Sequence, residues 1–297
     1  MAATRAVARP PMDGDDVWAT LRAAARDRSS GSARIAARAA EAVAALDDPA
    51  DVPRALRVLL KGQPFMAACV RLADEVLHAS DPRAVASSFA RRLEREARSS
   101  PAALRLLLPR GGVVLTVSAS SAVVSALTGL GPRSRPRVLC AVSEPGGEGR
   151  AAAAELRAAG VEADVLPDAA VAGAAATSDL VVFGADAVGP DALLNKTGTA
   201  AAVLGAMQAR RDRVCVAATS KFVDAAMWTR VAEAAATRSA AVRGTDAVAL
   251  FEVVPLRWVT SVLTEDGPLQ ARTAGRLAAS SHLDARTIAA YDDATSA

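Results

Sequence analysis

The sequence predicts an α/β protein with a helical N-terminal domain, residues 1–108, followed by a Rossmann-like α/β domain, residues 109–297, with helices on both faces of a parallel sheet. Three observations lead there. Up to about residue 100 the apolar residues recur at three- and four-residue spacing, the period of an amphipathic helix. After Pro109-Arg-Gly-Gly the pattern changes to short apolar runs that alternate with alanine-rich helical stretches. Those runs are apolar throughout, with no polar alternation, as expected of parallel strands covered on both faces.

The helical part begins near Asp16. Val17, Leu21 and Ala24 share one face, and Ile35, Ala39, Val43 and Leu46 share another. Between them RDRSSGSAR, 26–34, is a small-residue loop leading into a helix, with Ser29, Ser30 and Ser32 as N-cap candidates. DDPADVP, 47–53, interrupts the pattern, and helices resume through 56–60, 66–77 and 85–97.

In the second part, strands are expected at 113–118, 137–143, 161–166, 179–186 and 212–220, each followed by a helical stretch or a loop. AVALFEVVP and WVTSVLTED supply further extended segments. Residues 187–198 read as a loop.

Composition narrows the function classes. The 297 residues suffice for two domains or one large one with a substantial core. The composition is 52% hydrophobic but only 3% aromatic, so Val, Leu and Ala must pack the interior. A net charge of +3 with interspersed signs, and a single tyrosine, argue against nucleic-acid binding. No run approaches the roughly 20 apolar residues of a membrane span. The opening MAATRAVARPPMDGDD lacks the apolar core of a signal peptide and reads as a loose tail. Cys69, Cys140 and Cys215 form no CxxC, and with His78 and His282 they make no zinc-ligand spacing, so no metal site and no cofactor are expected. Reduced, buried thiols in a cytoplasmic protein are the expectation.

In open parallel sheets ligands bind at the carboxyl ends of strands. Four such ends are polar or glycine-rich: 116–121, 143–149, 184–186 and 218–221. The third carries the strongest constellation, GADAVGPDALLNKTGTAAAVLGA. Asp186 stands at a strand tip, Asn195 and Lys196 follow, and Gly198 opens the next helix. Among the 35 basic residues lysine is found only at Lys61, Lys196 and Lys221, and Asn195 is the sole asparagine, so their adjacency stands out in an Ala- and Arg-rich chain. A carboxylate, an amide, an ammonium and a helix N-terminus suit a hydroxylated, phosphorylated ligand.

This segment resembles the superfamily that unites the alpha, beta and delta regulatory subunits of eukaryotic initiation factor 2B with methylthioribose-1-phosphate isomerase and ribose-1,5-bisphosphate isomerase. FEVVPLRWVTSVLTEDG, TSKF and, in part, SEPGGEG resemble further family segments in the same order, and RDRSSGSARIAARAA is similar to its phosphate-proximal loop and helix. The resemblance implies a ligand site drawn from Arg28, Ser29, Gly31, Ser32, Ser120, Glu144, Gly147, Gly149, Asn195, Lys196, Gly198 and Lys221. It also implies a homodimer formed through the α/β domain. The isomerases of the family pair a cysteine at the end of the first strand with an aspartate. The aspartate is Asp186, and the cysteine position falls at Ser118. Where the family has an arginine, this chain has Glu144, which reverses the charge and suggests a ligand less anionic than a bisphosphate. The first reading is therefore a protein like the regulatory subunits, binding a sugar phosphate or nucleotide without cysteine-dependent isomerase chemistry. The alternative is an aldose–ketose sugar-phosphate isomerase with altered catalytic residues, and a further one is a structural subunit with a vestigial pocket.

Overall fold

The computed structural model describes residues 14–28, 30–237, 239–240 and 248–296. Five helices come first: α1 (Gly14–Arg26), α2 (Ser32–Ala44), α3 (Val52–Gly62), α4 (Ala67–Leu77) and α5 (Pro82–Arg105). The residues predicted to share a helical face are buried in one cluster, Val17 and Leu21 from α1 and Ile35, Ala39 and Val43 from α2; Leu46 joins them from just beyond the end of α2. The N-cap of α2 is Gly31 instead of a serine, and no side chain caps the helix. Ser32 is the first helical residue, while Ser29 and the N-terminal tail lie outside the described residues. Proline opens α5, and Asp81 caps it by accepting from Ala84 N.

The second part alternates β1 (Val113–Val117), α6 (Ser121–Thr128), β2 (Arg137–Ala141), α7 (Glu148–Ala158), β3 (Ala163–Leu166), α8 (Val171–Thr177) and β4 (Leu180–Gly184). Here the chain departs from the loop expected at 187–198. β5 (Ala187–Val188) and β6 (Ala192–Lys196) form a hairpin, so Asn195 and Lys196 sit on a strand. The chain continues through α9 (Thr199–Gln208), β7 (Asp212–Val216), α10 (Ala225–Ala236), β8 (Ser239–Ala240), β9 (Val248–Ala249), β10 (Phe251–Pro255), β11 (Ser261–Thr264), β12 (Gly267–Gln270), α11 (Ala271–Ser280) and α12 (Ala285–Thr295). The β5–β6 hairpin is stabilised by β10, which pairs antiparallel with β6 and places Glu252 opposite Asn195.

Seven strands form the main sheet in the order β12-β11-β7-β4-β1-β2-β3, parallel except for β12. Helices on both faces bury it between two apolar clusters, one around Phe183, Val181 and Leu115 and the other around Val182, Val114 and Val138. The core of the N-terminal helices also takes in Met227 and Val231 of α10 and Tyr291 of α12. Tyr291 donates to the Pro64 carbonyl at 2.7 Å, and Arg71 of α4 donates to the carbonyls of Phe222 and Ser281. These contacts tie the helices to the sheet region and hold them over its carboxyl edge. No helix among the described residues is long and apolar enough to cross a membrane.

Candidate functional site

From β1 the chain winds outward to β2 and β3, and β4 then returns to the other side of β1. Such a reversal opens a crevice between the carboxyl ends of the two neighbours. β1 runs into Ser118, whose φ of 64° turns the chain, and β4 runs into Ala185 and Asp186. The helical part roofs this crevice to leave a cavity of about 470 Å³, within the range of small-molecule sites.

Of the residues expected at the site, Arg28, Gly31 and Ser32 line the cavity from the helical side. Ser118, Ser120, Asp186, Asn195, Lys196 and Lys221 line it from the strand ends. Glu144, Gly147, Gly149 and Gly198 are not among the lining residues. The Glu144 carboxylate is exposed and accepts from Arg150 at 2.8 Å. Gly149 lets α7 approach β2: a Cβ there would stand 1.7 Å from the Ala141 carbonyl oxygen.

Two helix N-termini meet at the cavity wall. The α2 and α6 N-termini both lack a side-chain cap, and a Cβ on Gly31 would lie 3.9 Å from Ser121 Oγ, so the two ends face each other closely. Uncapped N–H groups and the helix dipoles favour negative charge there. Arg28 and Arg34 line the same side.

Three carboxylates, Asp186, Glu148 and Glu96, line the cavity together with its two lysines. Asp186 is half-buried, its backbone N–H donating to Leu194 O and its carbonyl accepting from Ala67 N. Desolvation raises its pKa, against the pull of Lys221, the Ser32 hydroxyl and Lys196, while Glu148 adds to the rise. Lys221 Nζ donates to the Ala185 carbonyl at 2.6 Å. Lys196 Nζ donates to Glu148 Oε1 at 2.6 Å, and both side chains are largely buried. Glu96 reaches in from α5, where its Oε2 accepts from Ser220 Oγ at 2.6 Å. Burial pushes the Glu96 carboxyl up to about 7, with Glu265 adding to the rise and the Ser220 hydroxyl, Arg92 and Lys221 opposing it.

The helix start expected to take phosphate at Gly198 is already occupied. Glu252 Oε1 accepts from Ala200 N at 2.7 Å; burial raises the pKa of this carboxyl, against the opposing pull of the Ala200, Gly198 and Thr199 N–H groups. Asn195 turns inward and donates to Thr199 Oγ1 at 2.9 Å, and that hydroxyl donates to the Lys196 carbonyl at 2.6 Å. Both interactions brace the strand that presents Lys196.

Sequence reasoning missed three acidic residues. Glu252 was visible in the FEVVP segment, and Glu148 between Gly147 and Gly149 of GGEG. Glu96 lies in an arginine-rich helical stretch with nothing to mark it. The three cysteines are buried and free, and none lines the cavity. Burial pushes the Cys140 thiol up to about 11 and the Cys215 thiol to about 12.

The family model of the initiation factor 2 subunit family matches residues 30–271. A translation initiation factor eIF-2B subunit 2-like protein of Pyrococcus horikoshii is 27% identical over 262 residues, covering 83% of this chain and 94% of that one. The crystal structure of a translation initiation factor eIF-2B from Pyrococcus horikoshii superposes with a TM-score of 0.74 at 26% identity, over 86% of this chain and 96% of that one. A ribose 1,5-bisphosphate isomerase of Archaeoglobus fulgidus is 35% identical over 114 residues, which is 38% of this chain and 36% of that one. A family-model match over residues 30–271, most of the length, places this chain in the initiation factor 2 subunit family.

Proposed function

We propose that this protein binds a small phosphorylated metabolite, a sugar phosphate or a nucleotide, in the cavity under its helical roof, without cysteine-dependent isomerase chemistry. The observation that carries the reading is the meeting of two uncapped helix N-termini, α2 and α6, at one end of the cavity. Ser118 supports the second half: a hydroxyl stands where the resemblance puts a thiol, and no histidine lines the cavity to activate it. Thermal unfolding with ribose 5-phosphate, glucose 6-phosphate and AMP tests it. A ligand at 100 times its dissociation constant adds about 2.7 kcal/mol, and Asp186→Asn weakens that binding. No shift with any phosphorylated compound sinks the reading and favours a structural subunit with a vestigial pocket.

A second reading, a sugar-phosphate isomerase with altered residues, is favoured by one observation: Asp186 faces the cavity and burial raises its pKa, which suits a group that carries a proton. Turnover of ribose 1,5-bisphosphate or methylthioribose 1-phosphate, lost by a factor of about 10²–10⁴ in Asp186→Asn, would establish it.

The reading extends to a cytoplasmic homodimer formed through the α/β region. Leu204 and Met207 on α9 and Val253 on β10 are exposed apolar side chains on neighbouring elements of that region. Sedimentation equilibrium of the wild type against Leu204→Glu, with the monomer appearing only in the variant, is the check.

A further inference from the structure

Six carboxylates and four cations line the cavity, an unusual balance for a site that takes an anion, and the cations are unevenly available. At the strand end, Lys196 is held by Glu148 at 2.6 Å with the two side chains 8% and 17% exposed. Lys221 is held by the Ala185 carbonyl at 2.6 Å. The acceptors at that end are less well satisfied. Among the described residues, Glu148 Oε2, Glu96 Oε1 and Ser100 Oγ are buried without a hydrogen-bond partner, and all three residues line the cavity. The Glu96 oxygen has only Arg92 Nε, 3.7 Å away.

We propose that Glu148 is the specificity-determining residue of this cavity. By holding Lys196 it withdraws the cation that a second phosphate would need, and so restricts the site to singly phosphorylated compounds whose far end donates hydrogen bonds. The inference rests on the phosphate-binding reading and sharpens it. One phosphate settles between the α2 and α6 N-termini, where neither N-cap side chain holds the N–H groups. To reach Lys196 a second phosphate must break the Lys196–Glu148 pair. That leaves the Glu148 carboxylate charged, buried and unpaired, beside Asp186 and the incoming anion. A hydroxyl or amino group meets the opposite situation, since the neighbouring acceptors lack donors. The charge reversal that the sequence located at Glu144 is therefore placed four residues later. Glu144 faces solvent and Arg150, whereas Glu148 faces the cavity and Lys196.

Calorimetric titration of ribose 5-phosphate and ribose 1,5-bisphosphate into wild type and Glu148→Gln tests this. The wild type is expected to favour the monophosphate by at least about tenfold, or 1.4 kcal/mol. Glu148→Gln, which frees Lys196 at constant side-chain size, should tighten the bisphosphate by about tenfold and leave the monophosphate within about twofold. Glu148→Gln together with Lys196→Gln should lose the gain. A wild type that binds both compounds equally, or prefers the bisphosphate, overturns the proposal without any variant. So does a folded Glu148→Gln whose bisphosphate affinity is unchanged. Should that variant not fold, Glu148→Asp, which draws the carboxylate back by one methylene, must narrow the preference or the proposal falls. If neither sugar phosphate nor inorganic phosphate binds at all, the phosphate reading itself fails, a result distinct from binding without discrimination.

Discussion

Glu96 on α5 accepts a 2.6 Å hydrogen bond from Ser220, 124 positions further along the chain, and this buried contact joins the helical roof to the strand end that carries Lys221. Like Glu148, it has a second oxygen with no hydrogen-bond partner among the described residues. Burial raises its pKa from 4.5 to about 7.

That shift makes stability depend on pH. Between the unfolded value of 4.5 and the folded value of about 7, the native state holds a proton that the unfolded state has released. Native stability from this group is therefore greatest at low pH and declines as pH rises from 4.5 through 7, by on the order of 3 kcal/mol. Asp186 and Glu252, also raised, act in the same direction. Urea unfolding between pH 5 and 8 should show a shallower decline in Glu96→Gln than in wild type. Equal slopes would refute the assignment to Glu96.

Glu252 fills the N-terminal turn of α9 in place of a ligand. Glu252→Ala strips that turn of its acceptor and should lower stability by about 1–2 kcal/mol. Glu252→Gln retains one acceptor oxygen and should lose less. Denaturant midpoints for the pair decide it, and a neutral Glu252→Ala would mean that the cap contributes nothing.

Thiol chemistry separates Ser118 from the natural cysteines. Cys69, Cys140 and Cys215 are buried and their pKa values are raised, so the folded wild type should resist a thiol reagent at pH 8. Ser118→Cys places a thiol on the cavity wall and should react once per chain, more slowly when ribose 5-phosphate is bound. Modification of the folded wild type at the same rate would contradict the burial of the three thiols.

Gly149→Ala tests the close approach of α7 and β2. The new methyl would meet the Ala141 backbone at 1.7 Å, so the helix must move, at a cost of about 3 kcal/mol. Gly131, with open space around its Cβ position and no positive φ, is the control: Gly131→Ala should change the melting temperature little. Equal effects of the two substitutions would count against the packing explanation.

The alternation of apolar runs with alanine-rich stretches was enough to determine a parallel sheet covered on both faces, because strand and helix periods are properties of the local chain. The same holds for the amphipathic helices of the first hundred residues and for the strand-tip aspartate. The 187–198 segment was not legible in this way. Gly189, Pro190 and Asp191 are turn residues; the short hairpin around them is completed by pairing of its second strand with β10, more than fifty residues away. Nor could local pattern show that Lys196 meets Glu148 across 48 positions, that Glu252 closes the helix start at Gly198, or that Glu96 enters the cavity. Which residue types occupy the strand ends is set by the sequence alone. Which charges are already neutralised depends on distances between segments far apart in the chain, and those exist only once the helices have packed over the sheet.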